Sequence, residues 1–367
     1  MIYIEKFVPF RFEKNSLEQV NLDNKLGRKM IYASCGKSAL YHCLLSLGLK
    51  SGDTILLPNY ICSSVLVPIK KIGLNTVFYD INEYDLNANL DSIKKCLKME
   101  LSVKAVLVAS MYGTPAELGS IERFCKDNQL LLIDDAAQSL GAKIEKRYVG
   151  TFGDAGFFSF SPGKATPGHL GAFFWTSNKN YSIKRKNHFL YHWTAYKSFF
   201  YNRYEIYKYR NSLICKLYKY LDLVTRKFTD YWNDDLNSFE KPILAGILHE
   251  NFVQTFRSYY SAKFNDIFKD CKYFRVITKG VDGTNNHKLV VLCETRDYAS
   301  LLFDYLRKNG ICANRGYVLL DGNANTPNAL SVYGRVLELP LENDSIKFDY
   351  IIKKIQSFLN LNNVTVI

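Results

Sequence analysis

The sequence of 367 residues contains no run of about 18 consecutive apolar residues, so no segment has the length and hydropathy of a membrane-crossing helix. Its opening, MIYIEKFVPF, carries Glu5 and Lys6 where the apolar centre of a secretory signal is unbroken. Together these absences lead us to expect a cytoplasmic protein. Proline is scarce, at nine residues, and 47% hydrophobic against 23% charged residues excludes a disordered or fibrous chain. The nine cysteines are odd in number and form no C-x-x-C pair, so neither a zinc site nor a dithiol redox centre is expected, and no metal site of any kind. They read as reduced, mostly buried thiols, and for Cys35 and Cys62 packing is favoured over chemistry.

Acidic residues are nearly missing from one stretch. Residues 179–228 hold twelve Lys and Arg against Glu205 and Asp222, a local charge of +10 within a total of +13. The remaining 317 residues are thus close to neutral at +3, and one segment makes the protein basic.

What the sequence does contain, from about residue 54 to 177, is a series of short apolar runs: TILLP (54–58), NTVFYDI (75–81), KAVLVAS (104–110), LLLIDD (130–135), AGFFSF (155–160) and GAFFWTS (171–177). Four are separated by a helix's worth of amphipathic sequence, the pattern of βα units in a mainly parallel sheet. One intervening helix is expected over 115–128, with Thr114 as N-cap, Pro115 at the first helical position and Glu117 closing a capping box. Such sheets bind ligands beyond the carboxyl ends of their strands, here just after Pro58, Ser110, Asp135 and Phe160. Beyond residue 178 comes a long Tyr/Lys/Arg-rich helical region. There follow a helix over 243–270, a strand over 287–294, a helix over 297–308, a strand near 311–318 and a helix over 345–359. This divides the chain into a large α/β domain (1–178), a basic aromatic helical insertion and linker (179–240), and a small C-terminal α+β domain (241–367). No internal repeat is evident.

The segments LLLIDDAAQSLGA (130–142) and GDAGFFSFSPGKATPGHLGAFF (153–174) carry the most chemistry. With ASCGKSALYHCLLSLGLKSGDTILLPNYICSSV, MYGTPAELGSI and RVLELPLENDSIKFDYIIKKI, they make the chain, from about 30 to 360, resemble the DegT/DnrJ/EryC1/StrS family of sugar aminotransferases. The resemblance implies a fold-type I, pyridoxal-phosphate-dependent transferase: α/β, with a mainly parallel central sheet flanked by helices and a smaller C-terminal α+β domain. It also implies pyridoxal 5′-phosphate as cofactor. Such a site needs a lysine that tethers the cofactor and later shuttles protons, and Lys164 in SFSPGK matches it. It needs a carboxylate that keeps the pyridine nitrogen protonated, and Asp135 matches; strand alternation turns Asp134 to the other face.

Gln138 matches the family glutamine near the ring's phenolic oxygen. Gly36, Lys37 and Ser38 open a helix whose N–H groups suit a phosphate, and Lys37 stands where the family usually has Thr. Ser159 matches a phosphate-binding serine, with Ser161 as understudy, and Tyr60 occupies the place of the aromatic that stacks on the ring. Each has a plainer alternative: a solvated loop lysine, a satisfied strand-end Asp, a buried polar cap, a core aromatic. Two stretches depart from the family pattern. Gly168-His169-Leu170-Gly171 replaces Gly-Glu-Gly-Gly, leaving His169 a structural residue or a second proton carrier. Tyr231-Trp232-Asn233-Asp234-Asp235-Leu236 keeps only Asn233 of the segment that reaches the neighbouring subunit's phosphate, which implies a homodimer.

The resulting expectation is an aminotransferase moving an amino group from an amino acid such as glutamate to a nucleotide-linked keto sugar, for surface-polysaccharide or other glycan synthesis. The rivals are a sugar dehydratase or eliminase, against which Lys164 speaks because family dehydratases carry histidine there, and a non-catalytic scaffold that retains the fold. Within 196–221, apolar positions 199/200, 206/207, 213/214, 217 and 220/221 recur at helical spacing, flanked by Lys197, Arg203, Lys208, Lys216 and Lys219. This segment reads as a surface helix packed on its own subunit or a dimer mate. Alternatives are a peripheral contact with anionic membrane or an attractor for diphosphate-bearing substrate. No nucleic-acid-binding module surrounds it, and nucleic acid is not expected as a partner.

Overall fold

The computed structural model describes residues 26–100, 102–160, 164, 171–183, 255–280, 283–341 and 344–361, together with Leu213, Lys216, Leu217 and Tyr220. In chain order its main elements are β1 (Ile31–Ala33), α1 (Gly36–Ser46), β2 (Thr54–Pro58), α2 (Leu66–Ile72), β3 (Asn75–Tyr79), α3 (Leu90–Met99), β4 (Val103–Ala109), α4 (Leu118–Asp127) and β5 (Leu131–Asp135). A two-strand hairpin, β6 (Lys143–Ile144) and β7 (Arg147–Tyr148), precedes β8 (Ala155–Ser159) and β9 (Ala172–Thr176). After the gap come α5 (Thr255–Phe268), β10 (Phe274–Val276), β11 (Leu289–Cys293), α6 (Arg296–Lys308), β12 (Asn314–Arg315), α7 (Pro327–Val332), β13 (Val336–Leu339) and α8 (Ser345–Leu361).

Seven strands form one sheet in the order β1-β9-β8-β5-β4-β2-β3. The pairs from β8 to β3 are all parallel, while β9 runs antiparallel to both β8 and β1. All six apolar runs of the first half are strands of this sheet; β1, only three residues long, gave no signal in the sequence. A parallel sheet must be covered on both faces, and the alternation along each strand divides the core accordingly. Ile55, Leu57, Leu107, Ile133 and Phe157 face α1 through Leu40, Cys43 and Leu44. Leu56, Val106, Leu132 and Phe158 face the other way, onto Ile93 of α3 and Leu118, Ile121 and Cys125 of α4.

The helix expected over 115–128 starts later, at Leu118, with Glu117 as its N-cap. The local signal loses to tertiary hydrogen bonds. Asn87 Nδ2 donates to the carbonyls of Thr114 and Pro115, at 3.1 and 3.4 Å, and the Ala116 N–H donates to Ser110 Oγ at 3.1 Å. Thr114 is thereby held extended, and the Glu117 carboxylate accepts from the Leu90 N–H instead of closing a capping box.

The second sheet is antiparallel, in the order β10-β11-β13-β12. Its strand over 289–293 and its helices over 296–308 and 345–361 lie where the sequence places them, whereas the strand expected near 311–318 shrinks to Asn314–Arg315. Thr295 caps α6 by accepting from the Tyr298 N–H at 3.1 Å. Leu289, Val291, Leu337 and Leu339 pack on one side against α6 and α8, while Val290, Leu292 and Val336 join the core of the large sheet. At the start of the basic insertion Tyr181 and Ile183 pack on the core of the large sheet, while within 196–221 the described residues Leu213, Lys216, Leu217 and Tyr220 are helical, with Leu213, Leu217 and Tyr220 82%, 57% and 64% exposed.

A candidate active site at the carboxyl ends of the parallel strands

The carboxyl ends of β2, β4, β5 and β8 and the first turn of α1 enclose a cavity of about 270 Å³. Residues after Pro58 (Ile61, Cys62), at Ser110, at Asp135 and beside Phe160 (Ser159, Lys164) all line it, which are the four places that a parallel sheet predicts. Cys35, Gly36 and Lys37 enter from the start of α1.

Asp135 ends β5 inside this cavity and is 7% exposed. Burial pushes its carboxyl up to about 6; the Ala137 N–H, donating to Oδ1 at 2.9 Å, and the Lys164 ammonium pull it back. Asp134 points through the sheet, as alternation requires, and accepts from the N–H groups of Gly150 and Phe152 at 2.6 and 3.1 Å. It is wholly buried and raised to about 7 by that burial, against the two backbone donors.

Gln138 lines the cavity three residues beyond Asp135, its Oε1 accepting from the Tyr112 N–H at 3.3 Å. Ser159, ending β8, stands against the start of α1. A methyl group built on Gly36 would lie 3.1 Å from Ser159 Oγ, so the glycine keeps open the gap between helix N–H groups and serine hydroxyl. Such a gap, faced by helix N–H donors and a hydroxyl, with Lys37 lining the same cavity, fits a phosphate group. The carboxyl of Asp135 and the amine of Lys164 in the same cavity fit the other end of pyridoxal phosphate.

Two candidates are not placed at the cavity. Tyr60 is fully buried behind it: its hydroxyl lies 3.3 Å from that of Tyr112 and accepts from the Tyr317 N–H at 3.1 Å. It is a core aromatic, because the chain after Pro58 turns Ile61 and Cys62, not Tyr60, toward the opening. Ser38 is likewise fully buried within α1 and does not line the cavity. Asn233, His169 and Ser161 lie outside the described residues. Both Cys35 and Cys62 line the cavity; burial raises the Cys35 thiol, opposed by the Ser38 N–H and the Lys37 charge. Each described cysteine is a free thiol, and no group of three or more metal-ligating side chains occurs among the described residues.

Sequence reasoning missed two contributors. Ser110 lines the cavity and holds Ala116, and its position at a strand end was the only signal. Asn285 supports Gln138 from outside, donating through Nδ2 to the carbonyls of Gln138 and Leu140 at 2.9 and 3.0 Å. No local pattern announces an asparagine 147 residues away in a loop.

Known proteins share both sequence and architecture with this chain. The model of the DegT/DnrJ/EryC1/StrS aminotransferase family matches residues 14–192. GDP-perosamine synthase of Escherichia coli O157:H7 is 26% identical over 266 residues, covering 70% of this chain and 68% of that protein. GDP-4-keto-6-deoxy-D-mannose 3-dehydratase of Yersinia pseudotuberculosis is 30% identical over 110 residues, only 30% of this chain and 28% of that protein. The crystal structure of a DegT DnrJ EryC1 StrS aminotransferase from Brucella abortus superposes with a TM-score of 0.69 at 20% identity, covering 92% of this chain and 88% of that one. Profile and architecture agree: residues 14–192 match the DegT/DnrJ/EryC1/StrS aminotransferase family, and the chain has the fold-type I arrangement of a mainly parallel sheet and a smaller second sheet.

Proposed function

We propose that this protein transfers an amino group from an amino acid, with glutamate the expected donor, to a nucleotide-linked keto sugar used in surface-polysaccharide or other glycan synthesis. The observation that carries the proposal is the convergence of Lys164 and Asp135 on one cavity that also takes in the start of α1. Bound there, pyridoxal phosphate supplies an electron sink for the reacting carbon of the substrate. Lys164 would hold the cofactor through its amine, and that amine is the group placed to carry a proton within the cavity. Asp135, lining the same cavity, would face the ring nitrogen of the bound cofactor, and its carboxylate would favour the protonated form of that nitrogen. The N–H groups at the start of α1 and Ser159 Oγ would hold the phosphate, with Lys37 adding positive charge to the same cavity, and Gln138 would donate to the ring oxygen.

The likeness to a sugar dehydratase favours elimination as the second reading. The sugar product separates the two, because a ketone joins this cofactor only in its amine form and both enzymes therefore respond to glutamate. An aminotransferase returns an amino sugar that keeps its hydroxyls; a dehydratase returns a sugar that has lost water and carries no new amine; a scaffold responds neither to glutamate nor to sugar.

The protein is further read as a cytoplasmic homodimer in which Asn233 reaches the neighbouring subunit's phosphate. The helical face bearing Leu213, Lys216, Leu217 and Tyr220, exposed in the protomer, is read as a packing surface for a dimer mate, with a peripheral contact with anionic membrane as the alternative. No helix among the described residues is long and apolar enough to cross one. Flotation with anionic liposomes tests that alternative, under which charge reversal at Lys197, Arg203, Lys208, Lys216 and Lys219 is expected to abolish binding and spare turnover on soluble substrate. Wild-type protein that does not float would remove the membrane reading.

A further inference from the structure

The turn Met111–Gly113 ends β4 behind the cavity, and its central residue, Tyr112, has φ 55° and ψ 21°. A left-handed backbone is disfavoured for a bulky side chain and persists only where its surroundings impose it. Here they do so from several sides. Asn87 Oδ1 accepts from the Met111 N–H at 2.6 Å, and the Asn285 N–H donates to the Gly113 carbonyl at 3.0 Å. Gly113 has φ +85°, and any side chain there would overlap Asn285 Oδ1. The Tyr112 side chain is fully buried, its ring stacked on that of Tyr317 at 6.0 Å and 6.0 Å from Lys288 Nζ. Lys288 is itself paired with Glu338 of β13, both side chains buried. Two buried opposite charges are costly to desolvate and are retained where they define one arrangement.

This strained turn points the Tyr112 N–H at Gln138 Oε1, 3.3 Å away. A backbone N–H only donates, so the amide of Gln138 must turn its oxygen to Tyr112. Its NH₂ is left with Met111 Sδ, a weak acceptor at 3.7 Å, and the cavity. We propose that Tyr112, clamped by Tyr317 and the Lys288–Glu338 pair, is a positioning residue that fixes the flip of Gln138, so that the amide presents a donor rather than an acceptor to the bound ring. Through Glu338 of β13 the second sheet would thereby bear on the electronic state of the bound cofactor. This rests on the reading of the cavity as a pyridoxal-phosphate site.

The test is the pH midpoint of the visible absorption band in the cofactor-loaded protein, with circular dichroism to verify folding. A donor to the ring oxygen favours its ionised form, so loss or reversal of that donor raises the midpoint, by about one pH unit for a hydrogen bond to a charged group. Gln138→Ala and Tyr112→Gly are each expected to give this rise, their combination no more than either alone, and Tyr112→Phe to remain at the wild-type value. Should Tyr112→Gly fail to fold, Lys288→Met with Glu338→Leu removes the pair without stranding a charge and is expected to move the midpoint in the same direction. A midpoint that responds to Gln138→Ala but not to folded Tyr112→Gly or the pair replacement overturns the proposal and leaves the cavity reading standing. So do additive shifts in the combined variant. Wild-type protein with no cofactor band overturns both.

Discussion

Asp134 and Asp135 are consecutive on β5, yet they look out on opposite faces of the seven-stranded sheet, and each face puts a carboxyl group to a different use. On the α4 side Asp134 is sealed in, and its acceptor oxygen closes the loop 150–152 through two backbone donors. On the α1 side Asp135 keeps one donor, from Ala137, and shares an open cavity with a lysine. Burial raises both, to about 7 and about 6. Desolvation alone therefore does not mark the functional residue; access and a neighbouring base do.

Substitution sharpens that contrast, beginning with the largest effect. Lys164→Ala is expected to abolish cofactor attachment, read by borohydride reduction and peptide mapping, and Asp135→Asn to keep the attachment but lower turnover by about 10²-fold or more. Full turnover in Asp135→Asn would assign the ring nitrogen to a different carboxylate and end the comparison. The smaller effect concerns stability. A folded-state value near 7, against 3.8 for an ordinary Asp, means that the native chain binds the Asp134 proton more tightly than the unfolded chain does. The stabilisation tied to this proton is complete below about pH 4 and is lost as pH rises through 7, by at most about 1.4 kcal/mol per unit. Asp135 adds to the same slope through about pH 6. Asp134→Asn, which cannot titrate, is expected to flatten the decline of Tm between pH 4 and 7 while leaving the pocket's spectrum unchanged. Parallel Tm curves for variant and wild type would show Asp134 ionised throughout that range.

Much of this site was legible because parallel strands announce themselves as continuous apolar runs, and their carboxyl ends are where side chains converge. Lys164, Asp135, Gln138, Ser159, Gly36 and Lys37 all follow from that rule plus the family's motifs, and all line one cavity. Tyr60 escaped the rule because, one residue before the lining begins, it belongs to an interaction with Tyr317 that lies 257 positions away. The start of α4 failed for the same reason: Asn87 and Ser110 compete for the very groups that a cap at Thr114 would satisfy. Local chemistry reads well where a segment's partners are nearby in sequence, and poorly where a distant polar side chain intervenes.

The long reach of Asn285 also has a meaning for the order in which the chain is finished. Its amide satisfies the Gln138 and Leu140 carbonyls, and its own N–H reaches Gly113, so the loop beside Asp135 lacks its partners until nearly three hundred residues exist. Asn59, at the end of β2, similarly awaits Asp321 to complete two hydrogen bonds at 2.9 Å. Contacts of such separation are slow to close, because the intervening chain must be ordered before they reward it. On the ribosome the parallel sheet emerges first, with its ligand-binding edge still unsupported. A chain cut near residue 180 would hold every strand of the large sheet yet lack Asn285 and Asp321, so the loop beside Asp135 and the end of β2 would be left without these partners.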